Sequence, residues 1–563
     1  MISAGPRSAW KRFRTLVTPV FYSEERWRVT LFLTTLVVML FVIGWLNVRN
    51  NHIGGAFMTA VADRNSSEFQ RQALLYVVIF ALLTVAAVIN SYVQQRLGLL
   101  WRQWLTTRMV SRYLTSKHFH RLRHSEIIDN PDQRLTDDIN TFTNTTLSLF
   151  LILLNSGITL VLFSEVLLSI TPVLFIVAVV YATFGSLMTI LIGRRLVGLN
   201  FLQLKKEADL RFRLIRIREN SEAIALVHSE RQENIGVRER LSALVKNFRD
   251  IIHVNVNLGL FTNAYNYLIQ IIPLVIVAPS YISGEIKDFG DVTRSAMAFA
   301  FVLNAFSIIV TQFQQISSFA AVIARLGAVW EATEADVPPG PTIISQKDGP
   351  CLAYKHLSLF TGKGDHVLVR DLTITLQCGE RLLIVGPNGA GKSAIFRATA
   401  GIWEFGSGTI ERPPEDEVMF IPQEPYTVPG TLRDQLVFNP ALGHITDDQI
   451  VAALEKVQLH RLIERVGSLH VERDWDNLLS VGERQLLAFA RLLLAKPRFA
   501  FLDVAVNALD DYWVNTLYSE LARMPGTYVS IGDQPSLRQY HHQLLELKGD
   551  GNWKLTPIPA CRA

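Results

Sequence analysis

The sequence predicts two fold classes in one chain: an all-α membrane-spanning portion of six helices, then a soluble α/β domain. Three observations predict this. The 563 residues exceed one ordinary domain, and 49% of them are hydrophobic, a high share for a soluble protein. Apolar stretches long enough to cross a hydrocarbon core of about 30 Å recur along the first half. Beyond the prolines near residue 340 no stretch is that long, and short β-type runs alternate with helical patterns.

The first apolar span covers 29–48, after Lys11, Arg12, Arg14, Arg26 and Arg28. Its length and the lack of a small-residue cleavage site argue against a removed signal peptide. Further spans are expected near 73–94, 144–168, 171–193, 257–283 and 295–322. The 95–143 and 194–254 connections are rich in Arg and Lys, and the other connections are short and poorer in them. Basic connections stay in the cytoplasm, so both termini and these two connections are placed inside. Their helical periodicity predicts that the spans continue as helices beyond the bilayer.

The net charge is +5. The basic residues sit beside apolar spans, which fits membrane topology and not a nucleic-acid partner. Cys351, Cys378 and Cys561 have no metal-type spacing, so neither a disulfide framework nor a zinc site is expected. The expected boundaries are a membrane domain at 1–325, a linker at 326–350 containing Pro338, Pro339, Gly340 and Pro341, and a soluble domain at 351–563.

Within the soluble domain, RLLIVGPNGAGKSAIF carries the chemistry. A β-type run ends at Val385, the segment Gly386-Pro387-Asn388-Gly389-Ala390-Gly391-Lys392-Ser393 follows, and a helical pattern begins. This is GxxxxGK[ST] between a strand and a helix. Glycines let backbone N–H groups wrap phosphates, and a helix N-terminus adds the positive end of its dipole. Lys392 is expected to reach the β and γ phosphates of ATP, and the Ser393 hydroxyl to ligate Mg2+. Downstream come Gln423 in VMFIPQEP, the segment Leu479-Ser480-Val481-Gly482-Glu483, and Asp503 at the end of an apolar run in FLDVAVNALD.

In that order and spacing these motifs resemble the ATP-binding cassette superfamily. The resemblance implies that Gln423 touches metal and water. It implies that Ser480, Gly482 and Glu483 face the nucleotide of a second cassette. Asp503 would complete the metal set with Ser393 and Gln423, and Asn507 to Asp510 would form the loop between cassettes. Over nearly the whole chain, DNPDQRLTDDI (129–139), GRRL (193–196), EAIALVHSERQE (222–233), FGDVTRSAMAF (289–299), PGTLRDQL (429–436) and GNWKLTP (551–557) resemble the SbmA/BacA-related branch. That branch includes BclA-like and YddA-like proteins, a mycobacterial cobalamin and peptide importer, and the subfamily D half-transporters. It implies a domain-swapped, exporter-type homodimer in the inner membrane of a bacterium. The cargo implied is a large hydrophilic solute, such as a peptide or a cobalamin-like molecule, with uptake as the direction.

Three positions depart from that pattern. Val504 stands where a hydrolytic cassette carries glutamate, Asp533 stands at the switch histidine, and Val481 replaces the first signature glycine. The binding groups are kept, so ATP and Mg2+ are expected to bind. Valine can neither orient water nor accept a proton, and lost general-base help costs about 10²–10⁴-fold in rate. An ionised Asp533 near a γ-phosphate would meet repulsion of about 4 kcal/mol per unit charge at 4 Å. Slow hydrolysis is the expectation. For the adenine platform the aligned position is Thr361, with Phe360 beside it and as suited to the core as to the base.

The fifth span carries Thr262, Asn263, Tyr265, Asn266, Tyr267 and Gln270, and the sixth Asn304, Ser307, Thr311, Gln312, Gln314 and Gln315. Polar groups inside spans are costly, so they suggest either a hydrated cavity or interhelical hydrogen bonds. Glu165 is a candidate proton site or a snorkelling side chain. Three functions stay open: an ATP-driven transporter, a proton-driven importer with a regulatory cassette, and a nucleotide-sensing partner of another half-transporter. Fatty-acyl transport fits the polar spans less well.

Overall fold

The computed structural model describes residues 6–115, 119–120, 131–284, 286, 288–334, 344–361, 366–403, 405–437, 445–504, 506 and 509–559. The chain divides into two compact units, Met1–Ala335 and Asp336–Ala563.

The first unit is helical. After α1 (Pro6–Val17) come α2 (Arg26–Ala62), α3 (Ser66–Leu114), α4 (Ile139–Ile170), α5 (Pro172–Glu219), α6 (Glu230–Ile282), α7 (Phe289–Phe306) and α8 (Ile308–Glu334). Among the described residues five helical segments, those containing α2 to α6, are long and apolar enough to cross a membrane. The expected sixth span is not one helix. It breaks at Ser307, whose φ of −86° and ψ of 20° end α7. The Ser307 hydroxyl shares a hydrogen bond of 2.8 Å with the Tyr265 hydroxyl, a side-chain partner that sits where helical periodicity alone predicts continuity. α3, α5 and α6 run far beyond a bilayer's thickness into the two basic connections, as the periodicity predicts.

Large apolar side chains such as Leu31, Val77, Val161 and Val275 point outward, as the faces of membrane helices do. Inside, small residues let helices approach. A Cβ on Gly290 would collide with the Gly55 carbonyl oxygen, and one on Gly185 with the ring of Tyr265. Tyr265 stacks on Tyr181 at a centroid distance of 4.4 Å, and the Tyr181 hydroxyl donates to the Tyr265 carbonyl at 3.0 Å. Of the polar residues expected either to line a cavity or to bond between helices, Tyr265 and Ser307 take the second role. Glu165 is exposed on α4. Where α4 begins, buried Asp138 accepts two bonds from Arg325 of α8, at 2.8 and 2.6 Å, the bidentate pairing a buried carboxylate needs.

The expected linker is narrower than 326–350, because α8 runs to Glu334 and a strand starts at Ile344. The prolines at 338, 339 and 341 lie outside the described residues.

Among the described residues the second unit holds two large sheets and a two-stranded ribbon that pairs Gly430–Thr431 with Glu472–Arg473. One has the order β1–β5–β2–β3, from β1 (Ile344–Asp348), β2 (Leu352–Phe360), β3 (Val367–Leu376) and β5 (Gly406–Arg412). The other adds β4 (Arg381–Val385), β6 (Val418–Ile421), β7 (Phe499–Asp503), β8 (Thr527–Ile531), β9 (Gln543–Leu547) and β10 (Trp553–Pro557), in the order β10–β9–β4–β8–β7–β6. All its pairings are parallel except β9 with β10. Every residue of β7 and of β8 is buried, which is why FAFLD reads as a continuous apolar run with no alternation. In such an open α/β sheet ligands bind beyond the carboxyl ends of the strands. The ends of β4, β7 and β8 are where the candidate residues gather.

Candidate nucleotide site

Strand β4 ends at Val385 and the chain turns through Gly386, Gly389 and Gly391, all at positive φ (150°, 82° and 101°). Only glycine reaches these values without cost. A Cβ on Gly386 would also strike the carbonyl of Leu547 in β9. Gly391 then caps α9 (Lys392–Thr399), so the loop's N–H groups lie at a helix N-terminus, an arrangement suited to phosphate.

Lys392 folds back over this loop. Its Nζ donates to the Gly386 carbonyl, to the Pro387 carbonyl at 3.4 Å, and to Asp533 Oδ2 at 3.2 Å. The Gly386 N–H donates to Asp533 Oδ1 at 3.4 Å. Asp533 lies two residues past the end of β8, so parallel pairing of β8 with β4 carries its carboxylate to the loop. A carboxylate thus takes up the donors that an anion's oxygens would use. Although exposed, Asp533 stays bonded to the cradle.

The Ser393 hydroxyl donates to Asp503 Oδ1 at 3.5 Å. These are the hydroxyl and carboxylate that a hard cation such as Mg2+ takes as oxygen ligands. Burial pushes the Asp503 carboxyl above its ordinary range, opposed by the Ser393 bond and the charges of Arg397 and Lys392. Gln423 lies just past β6 with its side chain exposed, and its carbonyl accepts from Gln485 at 3.2 Å.

Val504 follows Asp503 with φ of 49°, a left-handed conformation that a β-branched residue adopts only under constraint. Its N–H donates to the Ile531 carbonyl at 2.9 Å, and its side chain packs against the apolar core under β4 and β7. Val504 is thus a strained apolar residue facing the core.

The signature segment forms a separate feature. Ser480 caps α10 (Val481–Ala495), accepting from the Glu483 N–H at 3.2 Å, while Glu483 accepts from the Ser480 N–H at 2.9 Å. Glu483 also accepts from Arg465 at 2.8 Å. Desolvation raises its pKa, but the Arg465 and Ser480 bonds outweigh it and hold the carboxyl below its ordinary range. Glu483 is therefore committed to its own helix, whereas Val481 is exposed at the helix start. Of the loop expected between cassettes, Asn507 and Ala508 lie outside the described residues. Asp510 caps α11 (Asp511–Ala522) by accepting from the Trp513 N–H at 3.1 Å. Phe360 is half-buried at the end of β2.

Sequence reading overlooked one cluster. Cys351 and Cys378 bring their sulfurs to 3.8 Å, although 27 residues separate them. The signal was present in the pairing of β2 with β3, which sets Leu352 opposite Leu376.

A strand–loop–helix phosphate cradle carried behind a bundle of membrane-length helices defines the class: a membrane protein built around a nucleotide-binding domain. Residues 16–282 match the ABC transporter transmembrane region 2 family, and residues 369–507 match the ABC transporter family. An ABC transporter ATP-binding protein of Synechocystis is 38% identical over 95% of this chain and 83% of its own length. ABC transporter D family member 2, chloroplastic, of Arabidopsis thaliana is 34% identical over 98% of this chain and 89% of its own. The lysosomal cobalamin transporter ABCD4 of Homo sapiens is 27% identical over 97% of this chain and 96% of its own. The chain belongs to the ABC transporter family, as a multi-pass half-transporter with one membrane region and one cassette, close to subfamily D.

Proposed function

We propose that this half-transporter binds Mg-ATP and turns it over slowly. The reading takes Gly386 to Ser393 as the phosphate cradle, with Ser393, Gln423 and Asp503 as metal ligands. Bound Mg2+ would neutralise phosphate charge and orient the γ-phosphoryl group. The residues present suit that ion, since a hydroxyl and a buried carboxylate already converge.

The observation that carries the slow-turnover reading is the pairing of Asp533 with Lys392 and the Gly386 N–H, beside a strained, core-facing Val504. Asp533 competes with an incoming phosphate for the same donors. When phosphate displaces it, the carboxylate is left near like charge, which favours its protonation. Val504 supplies no base.

Transport is proposed as uptake of a large hydrophilic solute, a peptide or a cobalamin-like molecule, by a homodimer of the SbmA/BacA-related branch. The membrane would be a bacterial inner membrane with both termini cytoplasmic. Two things support the cargo class: the printed function of the ABCD4 relative, and the exposed Asn263, Asn266 and Gln270 of α6 in the single protomer.

The test uses purified protein in lipid nanodiscs. Nucleotide binding is measured by equilibrium titration with Mg-ATP, and turnover by phosphate release. Saturable binding with turnover well below that of the Val504→Glu, Asp533→His double variant supports the proposal. Brisk turnover by the wild type, unchanged in the double variant, overturns it.

A further inference from the structure

Away from the phosphate cradle, the second unit carries a built pair of thiols at the other end of its sheets. Cys351 immediately precedes β2, and Cys378 lies in the turn between β3 and β4. Their sulfurs are 3.8 Å apart. Cys378 is exposed and Cys351 partly so. Neither is a buried packing residue of the kind that accounts for most free cysteines.

The two sulfurs differ in their surroundings. Arg498, at the start of β7, donates from Nη2 to Cys378 Sγ at 3.3 Å. Its Nη1 donates to Glu417 Oε2 at 3.1 Å, which holds the guanidinium in place. Cys378 Sγ also donates to the Pro350 carbonyl at 3.6 Å. The bond from Arg498 lowers the pKa of Cys378, whereas desolvation raises that of Cys351. An exposed thiol against a fixed cation is the environment of a reactive cysteine. A second thiol at near-contact distance is the environment of a resolving one.

We propose that Cys378 and Cys351 form a thiol–disulfide exchange site, with Cys378 as the attacking thiolate and Cys351 as the resolving thiol. The co-reactant is a small disulfide of the glutathione-disulfide class. The Cys378 thiolate attacks one sulfur of that disulfide. The small molecule's S–S bond breaks, a mixed disulfide forms on Cys378, and one thiolate leaves. Cys351 loses its proton to solvent and attacks Cys378 Sγ. The protein disulfide forms and the second small thiolate leaves. Two protein thiols are oxidised and one small disulfide is reduced to two thiols, which take up the two protons. Closing the bond ties the start of β2 to the turn that leads into β4. It also removes the thiolate that Arg498 holds.

The experiment incubates the reduced full-length protein with glutathione disulfide, quenches with an alkylating reagent, and maps peptides by mass spectrometry. The expected product is a Cys351–Cys378 linked peptide pair that dithiothreitol reverses. Cys351→Ser should stop at a single glutathione adduct on Cys378. Cys378→Ser should form that adduct on Cys351 about tenfold more slowly or worse. Arg498→Met should slow adduct formation on Cys378 by about tenfold, with a smaller slowing on Cys351, on which Arg498 acts only through its charge. Two free, alkylated cysteines after full exposure to glutathione disulfide would overturn the proposal. Adduct formation at equal rates on Cys351 and Cys378 in the two serine variants would overturn the assigned roles.

Discussion

Lys392 and Asp533 stand 141 residues apart in sequence and 3.2 Å apart in space, with the Asp533 side chain 61% exposed and the Lys392 side chain 11% exposed. The pair closes over the loop that the glycines shape for phosphate. An exposed ion pair is worth only about 0.2–1 kcal/mol, so Asp533 weakens the cradle's hold on an anion without abolishing it. Replacing the carboxylate with a neutral amide of similar shape should loosen its hold on Lys392 and the Gly386 N–H. Asp533→Asn is therefore expected to tighten nucleotide binding about two- to fivefold, read by titration with fluorescent ATP in nanodiscs. An unchanged or weaker affinity would show that the pair does not compete with phosphate.

Val504 sets a second expectation, separate from hydrolysis. A left-handed β-branched residue costs roughly 1–2 kcal/mol, and losing a partly buried valine side chain costs a similar amount. In Val504→Gly the two nearly cancel, so the thermal midpoint should stay close to wild type. Val504→Ala keeps the strain and loses packing, and should fall by about 1 kcal/mol. A larger loss in the glycine variant than in the alanine variant would remove strain as the explanation.

How much of this was legible follows from the range of the interactions. The strand–loop–helix around Lys392 is local, and its glycines declare the backbone they need. The long helices declare themselves by apolar length. The break at Ser307 was not legible, because it coincides with a bond to Tyr265, 42 residues away. Nor was the role of Glu483, since its Arg465 partner lies on another helix. The direction of the Asp533 side chain depends on β8 pairing with β4, a register no local pattern encodes. The cysteine pair failed for the same reason: spacing rules look for neighbours in sequence, and antiparallel strands make neighbours of distant residues.

Close helix approach in the first unit gives a third prediction. Gly290 at the start of α7 rests against the backbone of Gly55 in α2, and its N–H donates to the Thr59 hydroxyl at 3.0 Å. A methyl group there meets backbone, which cannot rotate away. In membranes such small-residue contacts supply much of the packing energy between helices. Gly290→Ala should lower the thermal midpoint in detergent and reduce the folded yield, whereas Gly259→Ala, where a Cβ meets nothing within 4 Å, should change neither. Size-exclusion profiles with thermal shift would separate the two.

The last prediction concerns pH and the buried His541. His541 is buried, with Nδ1 against the Leu537 carbonyl at 2.7 Å and Nε2 against the Ser530 hydroxyl at 2.9 Å. Tyr518 donates to the same Ser530 oxygen at 3.0 Å, leaving the Ser530 proton for Nε2. That arrangement needs a neutral imidazole with its proton on Nδ1. Burial pushes the His541 pKa down from 6.5 to about 4, the Leu537 bond opposing and the charges of Arg381 and His542 assisting. The unfolded chain therefore binds a proton between those values that the folded chain refuses. The stabilising contribution is complete above pH 6.5 and is lost as pH falls toward 4, to the extent of about 3 kcal/mol at about 1.4 kcal/mol per unit. Amide-exchange protection across Thr527–Ile531, corrected for the intrinsic pH dependence of exchange, should decline over that window in the full-length protein. His541→Gln, which cannot titrate, should lower protection at pH 7 and flatten the decline; an equally steep decline in that variant would assign the acid sensitivity to another group.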